Sequence, residues 1–203
     1  MSDRPLRILA FDPGLTCTGY ALLGDGAGAG ASGCIFDSGT MRSKETHLVP
    51  RLNEMAADVW AKVYENIDAD LHVVIEFPGT RAMPPDKSSY GRRSVRFLPH
   101  YGMAVGVVFA TVRHCSIAAV ACEKRKAMFG IITTEPGDWT RGLPKTKGDP
   151  HKEGRVRLVE SIYGLSAGAM GAKTVAGNVA DAVLLARWGL NRVRAVENVR
   201  KEQ

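Results

Sequence analysis

The first forty residues alternate short apolar runs with small and polar residues, a pattern typical of strands joined by short connections. The apolar runs are Arg7–Asp12, Thr18–Leu23 and Cys34–Thr40. A glycine- and alanine-rich stretch, Gly24–Gly33, separates the second run from the third and indicates a hairpin loop. The pattern therefore predicts three strands in an antiparallel meander.

The spacing of apolar residues changes to a helical period after this meander. In Leu48–Asn66 they recur every three or four positions, which predicts an amphipathic helix. The short apolar run Leu71–Glu76 predicts a strand that is covered on both faces. From Phe77 to Arg96, prolines, glycines and charged residues interrupt any period, and this stretch is predicted to be a loop.

The second half of the chain continues with apolar segments separated by a basic stretch. Leu98–His114 is apolar on nearly every helical face, which predicts a helix that is buried all round. The segment Ser116–Phe129 either continues that helix or begins another. Ile131–Glu135 predicts a strand, and Gly137–Lys152 predicts a second basic loop.

Two further helices complete the predicted order of elements, over Glu153–Tyr163 and Asn178–Leu190. The order is three strands, a helix, a strand, a helical region, a strand and then helices. Such an order indicates an α/β fold, in which a mixed sheet carries helices on its faces. The length favours one domain over residues 1–203.

Composition narrows the class of protein. The chain has 203 residues, of which 45% are hydrophobic and 24% charged, and this excludes a fully disordered chain. No apolar run in the sequence reaches the roughly 20 residues of a membrane span, and the polar start is unlike a secretory signal. The four cysteines form no Cys-x-x-Cys pair and no zinc-ligand spacing, which favours a reduced, cytoplasmic protein.

The positive charge is concentrated in the middle of the chain. The net charge is +6 overall, but it is −5 over residues 1–80, +9 over residues 81–157 and +2 over residues 158–203. Such a local excess favours a polyanionic partner, because neutralised phosphates release their counterions. The alternative is a solvated basic surface that serves only solubility.

Three acidic residues stand at the ends of apolar elements. Asp12 and Glu76 end predicted strands, and Asp181 opens an apolar helical run. Each has an ordinary structural explanation, as a turn residue, as the partner of an arginine or as a charge at a helix start. Together they suggest more, because carboxylates at the edge of an apolar core need a compensating cation. Such oxygen ligands suit Mg²⁺ or Mn²⁺, and paired ions can activate water against a phosphodiester.

The runs that contain these acids resemble a known family. ILAFDPGLTCTGYALL is similar to the opening strand and hairpin of the RuvC-type Holliday-junction resolvases, within the ribonuclease H-like superfamily. VVIEFP resembles their second acidic strand, and NVADAVLLA resembles their last acidic helix. IITTEPGDWTRGL and KEGRVRLVESIYG resemble the family's last strand, basic loop and next helix. The resemblance spans residues 7–190 and implies a ribonuclease H-like mixed five-stranded sheet flanked by helices.

The resemblance also implies a site for two Mg²⁺ ions, in which Mn²⁺ can substitute, held by Asp12, Glu76 and Asp181. The family usually has Asp or His three residues before the last acid, where this chain has Asn178. One helical turn separates Asn178 from Asp181, so both can face one site. An amide is a weaker ligand than a carboxylate. The alternatives in the preceding loop are His151 and Asp149.

The two basic loops, 77–97 and 136–152, are predicted to face DNA, because arginine and lysine suit phosphate oxygens. In the family an aromatic residue near the second acid stacks on an unpaired base, which makes Phe77 and Tyr90 candidates. Trp139 is interpreted as a structural anchor of its loop. The basic candidates are Arg81, Lys87, Arg92, Arg93, Arg96, Arg141, Lys145, Lys147 and Lys152.

The expected function is that of a structure-selective endonuclease, which resolves four-way DNA junctions by metal-dependent hydrolysis and leaves 5′-phosphate ends. A near-twofold junction calls for paired cuts and therefore for a homodimer, with Leu98–His114 as the predicted contact face. The sequence identifies no branch-migration partner. Two alternatives stay open: a related nuclease acting on other branched DNA or RNA–DNA hybrids, and a non-catalytic junction-binding protein.

Overall fold

The computed structural model describes residues 4–26, 32–77, 89–121, 130–145 and 151–202, with the backbone alone for residues 89–98, 120, 121 and 174. The strands in these ranges are β1 (Leu6–Asp12), β2 (Thr18–Gly24), β3 (Cys34–Met41), β4 (Asp70–Glu76) and β5 (Gly130–Thr134). The helices are α1 (Leu48–Tyr64), α2 (Ser89–Ala121), α3 (Pro136–Trp139), α4 (Glu153–Tyr163) and α5 (Lys173–Lys201).

The strands form one mixed sheet in the order β3-β2-β1-β4-β5. The pairs β1–β2 and β2–β3 are antiparallel, which confirms the predicted meander. The pairs β1–β4 and β4–β5 are parallel, so their carboxyl ends meet at one edge of the sheet. The five-stranded α/β fold expected from the sequence is therefore confirmed.

Side-chain alternation divides the sheet into two faces. On the α5 face, Ile8, Ala10 and Val74 pack against α4 and α5. On the α2 face, Phe11 and Ile75 pack with their neighbours against α1 and α2. Because successive strand residues point to opposite faces, the residues that follow Phe11 and Ile75 belong to the α5 face. Those two residues are the acids at the ends of β1 and β4.

Helix α2 begins much earlier than the sequence predicts. The predicted loop over residues 77–97 is wrong for residues 89–97, which form the first turns of Ser89–Ala121. A helix is costly to nucleate but cheap to extend, so the apolar segment that follows can propagate helix into this polar stretch. The helix also contains Pro99 and runs on through Ser116 without a break. Helix α5 is likewise longer than predicted, over Lys173–Lys201.

Helix α2 is buried on one side only. The prediction that it is buried all round is wrong, because Gly102, Met103 and Gly106 are exposed while Ala104 and Val108 are fully buried. Its segment Pro99–Ala119 is long and apolar enough to cross a membrane by length and composition. Its inward side packs against α1 and β4.

Candidate metal centre

Two of the three predicted acids lie side by side at the carboxyl edge of the sheet. Phe11 is paired with Ile75 in the parallel β1–β4 ladder, so the next residues, Asp12 and Glu76, are neighbours on adjacent strands. Both continue the alternation toward the α5 face. The side chain of Asp12 is 17% exposed and Glu76 is buried. The strands thus bring two carboxylates together in surroundings that are poor in water.

Helix α5 brings the third acid to the same edge. Gly19 pairs with Asp12 across β1 and β2, and a Cβ at Gly19 would overlap the backbone carbonyl oxygen of Asn178. The missing side chain therefore lets α5 approach the sheet beside Asp12. One helical turn later Asp181 is buried, with 5% of its side chain exposed. It lies eight residues after the first residue of α5. The sequence-based interpretation that Asp181 opens the helix is therefore wrong.

The ammonium of Lys152 lies among the candidate ligands. Its Nζ is 2.5 Å from Oδ2 of Asp181, 3.1 Å from Oδ1 of Asn178 and 4.0 Å from Oδ2 of Asp12. The Asn178 amide also donates from Nδ2 to Sγ of Cys17 at 3.5 Å, so its Oδ1 is the atom that faces Lys152. Lys152 therefore contacts two ligand candidates and lies near a third.

A second cation and a tryptophan link Asp181 to Glu76. Nη1 of Arg155 is 2.7 Å from Oδ1 of Asp181, and its guanidinium carbon lies 5.2 Å from the ring centroid of Trp139. The indole Nε1 of Trp139 donates to Oε2 of Glu76 at 2.6 Å. The hydroxyl of Tyr101, on α2, donates to Oε1 of the same carboxylate at 3.5 Å. Both faces of the sheet thus contribute contacts to Glu76.

The electrostatics of the two strand acids differ from those of free carboxyl groups. Burial raises the pKa of Asp12 to about 6; Lys152 opposes this rise and Asp181 adds to it. Burial also raises the pKa of Glu76 to about 8, with a further rise from the charge of Asp12 and a lowering by the hydrogen bond from Trp139. Their negative charges are thus only partly compensated by the protein.

These donors fit a divalent cation in their chemistry. Carboxylate and amide oxygens are the ligands that Mg²⁺ and Mn²⁺ favour, and under-compensated buried carboxylates are stabilised by a bound cation. Within the described ranges, however, no three Asp, Glu, His or Cys side chains converge closely enough to enclose an ion by themselves. The ammonium of Lys152 stands between Asp12 and Asp181 instead.

Comparison with solved structures identifies the architecture. The structure of Thermus thermophilus RuvC in complex with Holliday junction substrate matches with a TM-score of 0.62 at 15% sequence identity, covering 94% of this chain and 96% of that chain. The chain has the RuvC fold. A second Thermus thermophilus RuvC structure matches with a TM-score of 0.58 at 17% identity, covering 93% of this chain and 96% of that one. No protein-family model matches the chain, and no curated protein matches its sequence.

The RuvC fold is the fold expected from the sequence motifs. The remaining candidate residues lie as follows. Phe77 is half-buried and packs edge-to-face on Phe109, with ring centroids 5.7 Å apart. Arg141 and Lys145 are exposed on the segment after α3, while Lys152 faces the acids. Tyr90, Arg92, Arg93 and Arg96 lie on α2 with only their backbone described. Arg81, Lys87, Lys147 and Asp149 lie outside the described residues.

Three residues that touch the acids were not predicted as site residues. Arg155 is not among the basic residues singled out from the sequence, although it occupies the first turn of α4 and contacts Asp181. Trp139, interpreted as a loop anchor, is buried and contacts Glu76. The available signal was its position just after β5, which pairs with the strand that carries Glu76. Tyr101 gave no sequence signal, because it lies on a helix that comes from the other face.

Proposed function

We propose that this protein is a divalent-metal-dependent endonuclease that resolves four-way DNA junctions and leaves 5′-phosphate ends. The observation that carries the proposal is the position of Asp12, Glu76 and Asp181 at one edge of a RuvC-fold sheet, where the charges of Asp12 and Asp181 raise the pKa of Glu76 and the charge of Asp181 raises the pKa of Asp12. The proposed substrate class follows the solved RuvC structure that was determined with a Holliday junction substrate.

The proposed cofactor is Mg²⁺, with Mn²⁺ as a substitute, held through the oxygens of Asp12 and Glu76 with Asn178 and Asp181 on the α5 side. When bound, such an ion supplies an activated water and stabilises the negative charge that develops on a phosphodiester. The protein's own residues orient the acids. Arg155 fixes Asp181 at 2.7 Å, and Trp139 fixes Glu76 at 2.6 Å, while burial excludes competing water.

The proposed DNA contacts lie around this edge. Lys152 is the candidate closest to the acids, and Arg141 and Lys145 extend the basic surface outward from α3. Phe77 directly follows Glu76, and its ring already packs on Phe109 of α2. The proposed stacking on a base would therefore use the part of the ring that is still exposed. The proposed location is the cytoplasm, in keeping with the free thiols of Cys17, Cys34 and Cys115.

A twofold homodimer would present two such edges to a junction of near-twofold symmetry. Its proposed contact face is the outward side of α2, where Gly102, Met103, Gly106 and Ile117 are exposed. Nothing within 4 Å would meet a Cβ added at either of the two glycines, so a partner helix could approach closely. Sedimentation at micromolar concentration tests this part of the proposal, and a monomeric mass would contradict it.

The deciding experiment compares cleavage of an immobile four-way junction, a flap and an RNA–DNA hybrid, with Mg²⁺ and with EDTA. We expect Mg²⁺-dependent paired nicks in the junction and little cutting of the other substrates. Asp12→Asn is expected to lower the cleavage rate by at least about 100-fold while junction binding is retained. Asp58→Asn, at an exposed acid of α1, is the matched control and should cut normally.

The outcomes separate the alternatives. Preferential cutting of flaps or hybrids would favour a nuclease of different substrate class on the same fold. Junction binding without cutting, unaffected by Asp12→Asn, would favour the non-catalytic binding protein. The contacts of Lys152 with Asn178 and Asp181 give the second alternative its specific support, because they engage two of the proposed ligands.

A further inference from the structure

We propose that the centre takes a single divalent ion, on the side of Asp12 and Glu76, and that the ammonium of Lys152 takes the place of a second ion beside Asp181 and Asn178. This inference rests on the proposed function, because it concerns the metal content of the same site. It departs from the two-ion centre that the sequence resemblance implied.

The first argument is that the α5 side of the centre has its oxygens already engaged. Oδ1 of Asp181 accepts from Arg155 at 2.7 Å, and Oδ2 accepts from Lys152 at 2.5 Å. Oδ1 of Asn178 accepts from Lys152 at 3.1 Å. A cation placed between Asp181 and Asn178 would have to displace the ammonium from both. Asn178 offers only a neutral amide oxygen, which accepts from the ammonium and is a weaker ligand for a divalent ion than a carboxylate.

The second argument is that the backbone holds Lys152 in place. Among the residues that the structure describes, Lys152 is the only non-glycine with a positive φ, at 53°, and it occupies the position just before the first residue of α4. A Cβ at Gly177 would lie 2.8 Å from the carbonyl oxygen of His151, so the glycine permits this close approach of the loop to α5. The left-handed backbone and the close approach to Gly177 thus fix the point from which the Lys152 side chain reaches Asp181 and Asn178.

The third argument is the charge of the cluster. In the ionised state that a bound cation favours, Asp12, Glu76 and Asp181 contribute three negative charges, and Lys152 and Arg155 contribute two positive ones. The sum of −1 becomes +1 with one divalent ion and +3 with two. One ion leaves a centre that complements the single negative charge of a phosphodiester, whereas a second would add strong repulsion from Lys152 at close range.

The asymmetry of the contacts shows where that one ion belongs. Asp181 has two charged partners within 2.7 Å, both of them side chains of the chain itself. Asp12 has Lys152 only at 4.0 Å, and Glu76 accepts from the uncharged groups of Trp139 and Tyr101. The uncompensated charge therefore lies on the two strand acids, at the neighbouring ends of β1 and β4.

Counting bound Mn²⁺ tests the inference without any use of activity. We would measure Mn²⁺ per chain by equilibrium dialysis and the coupling between ions by electron paramagnetic resonance of the frozen protein. The wild-type protein is expected to bind one magnetically isolated Mn²⁺. Lys152→Met should bind two, with the broadened signal of a coupled pair, because Asn178 and Asp181 then regain free oxygens.

Two variants act as controls for the lysine. Lys152→Arg keeps a cation at this position and should still bind one ion. Lys173→Met removes a lysine that pairs with Glu153 at 2.7 Å on the protein surface, and it should also leave the count at one. Circular dichroism and unfolding curves would show that each variant is folded.

The possible results separate this inference from the proposed function. Two ions in the wild-type protein, or one ion in folded Lys152→Met, would overturn the single-ion centre while the nuclease proposal stands. No Mn²⁺ bound by the wild-type protein would overturn the single-ion centre, and if Asp12→Asn also left junction cleavage unchanged, the metal-dependent function itself would be overturned. The number of ions bound by the wild-type protein tests the inference even if Lys152→Met does not fold.

Discussion

The two faces of the sheet are built in different ways from similar apolar strands. The α2 face is covered by side chains such as Met55, Val59 and Val108, and charged groups stay at its margin. The α5 face has an equally apolar core, but Asp181 and Arg155 are buried within its helices. The difference shows that one face mainly stabilises the fold, while the other also holds charges in place at the carboxyl edge.

Strand alternation explains why the acids gather on one side. Asp12 has the same parity as Ile8 and Ala10, and Glu76 has the same parity as Val74, so both acids point toward α5. A shift of either strand by one residue would send its acid to the α2 face, where the packing is apolar. The register of β1 and β4 is therefore as important to the site as the identity of the acids.

The largest expected difference between the faces is in the strength of their ion pairs. Asp181→Ala leaves the buried guanidinium of Arg155 without its carboxylate partner. We expect this to lower the free energy of unfolding by about 3–5 kcal/mol. Asp37→Ala breaks the Lys62–Asp37 contact of 2.8 Å, whose side chains are 26% and 40% exposed, and should cost at most about 1 kcal/mol.

Urea unfolding in EDTA at constant salt would measure both changes, because EDTA removes any contribution from a bound ion. Equal losses of stability in the two variants would show that the Asp181 cluster is no better shielded from water than the pair at the margin. That result would remove the distinction between the faces.

The sequence predicted which strands and helices are present better than it predicted the residues at which they begin and end. The meander and the helix Glu153–Tyr163 were predicted correctly, because their hydrophobic period is local. The first turns of α2 were missed, since helix there is propagated from a neighbouring segment and leaves no apolar period of its own. Lys152 was predicted as a DNA contact, and its contacts with Asp181 and Asn178 depend on how α4 packs on α5, which no local pattern encodes.

A pair of glycine substitutions gives a smaller but sharper test of the two faces. Gly19→Ala places a Cβ against the backbone of Asn178, and the resulting overpacking should cost about 1–3 kcal/mol and displace α5 from Asp12. Gly102→Ala on the exposed side of α2 meets nothing within 4 Å, and it should stabilise the monomer by about 0.5–1 kcal/mol through helix propensity.

Unfolding curves at low protein concentration would measure these opposite signs. A loss of stability in Gly102→Ala that appears only at high concentration would indicate that a second copy covers this part of α2. A gain in Gly19→Ala would contradict the close approach of α5 to the sheet.

A further test of the contrast is the pH dependence of stability in the ion-free protein. The pKa of Glu76 is about 8 in the folded chain, against an ordinary value of 4.5. Between these values the folded state binds more protons than the unfolded state, so this group's contribution to the free energy of unfolding falls as pH rises. The contribution is complete below about pH 4.5 and is lost as the pH passes through about 8.

Glu76→Gln imitates the protonated acid and should remove this contribution to the pH dependence. Glu54→Gln, at an exposed glutamate of α1, should preserve it. We expect the stability of wild type relative to Glu76→Gln to decline from pH 5.5 to pH 8.5 in EDTA. A difference that stays constant over the same interval would mean that the carboxylate of Glu76 is already compensated by the protein. In that case the strand acids would have no more need of a cation than Asp181 has, and the contrast within the α5 face would disappear.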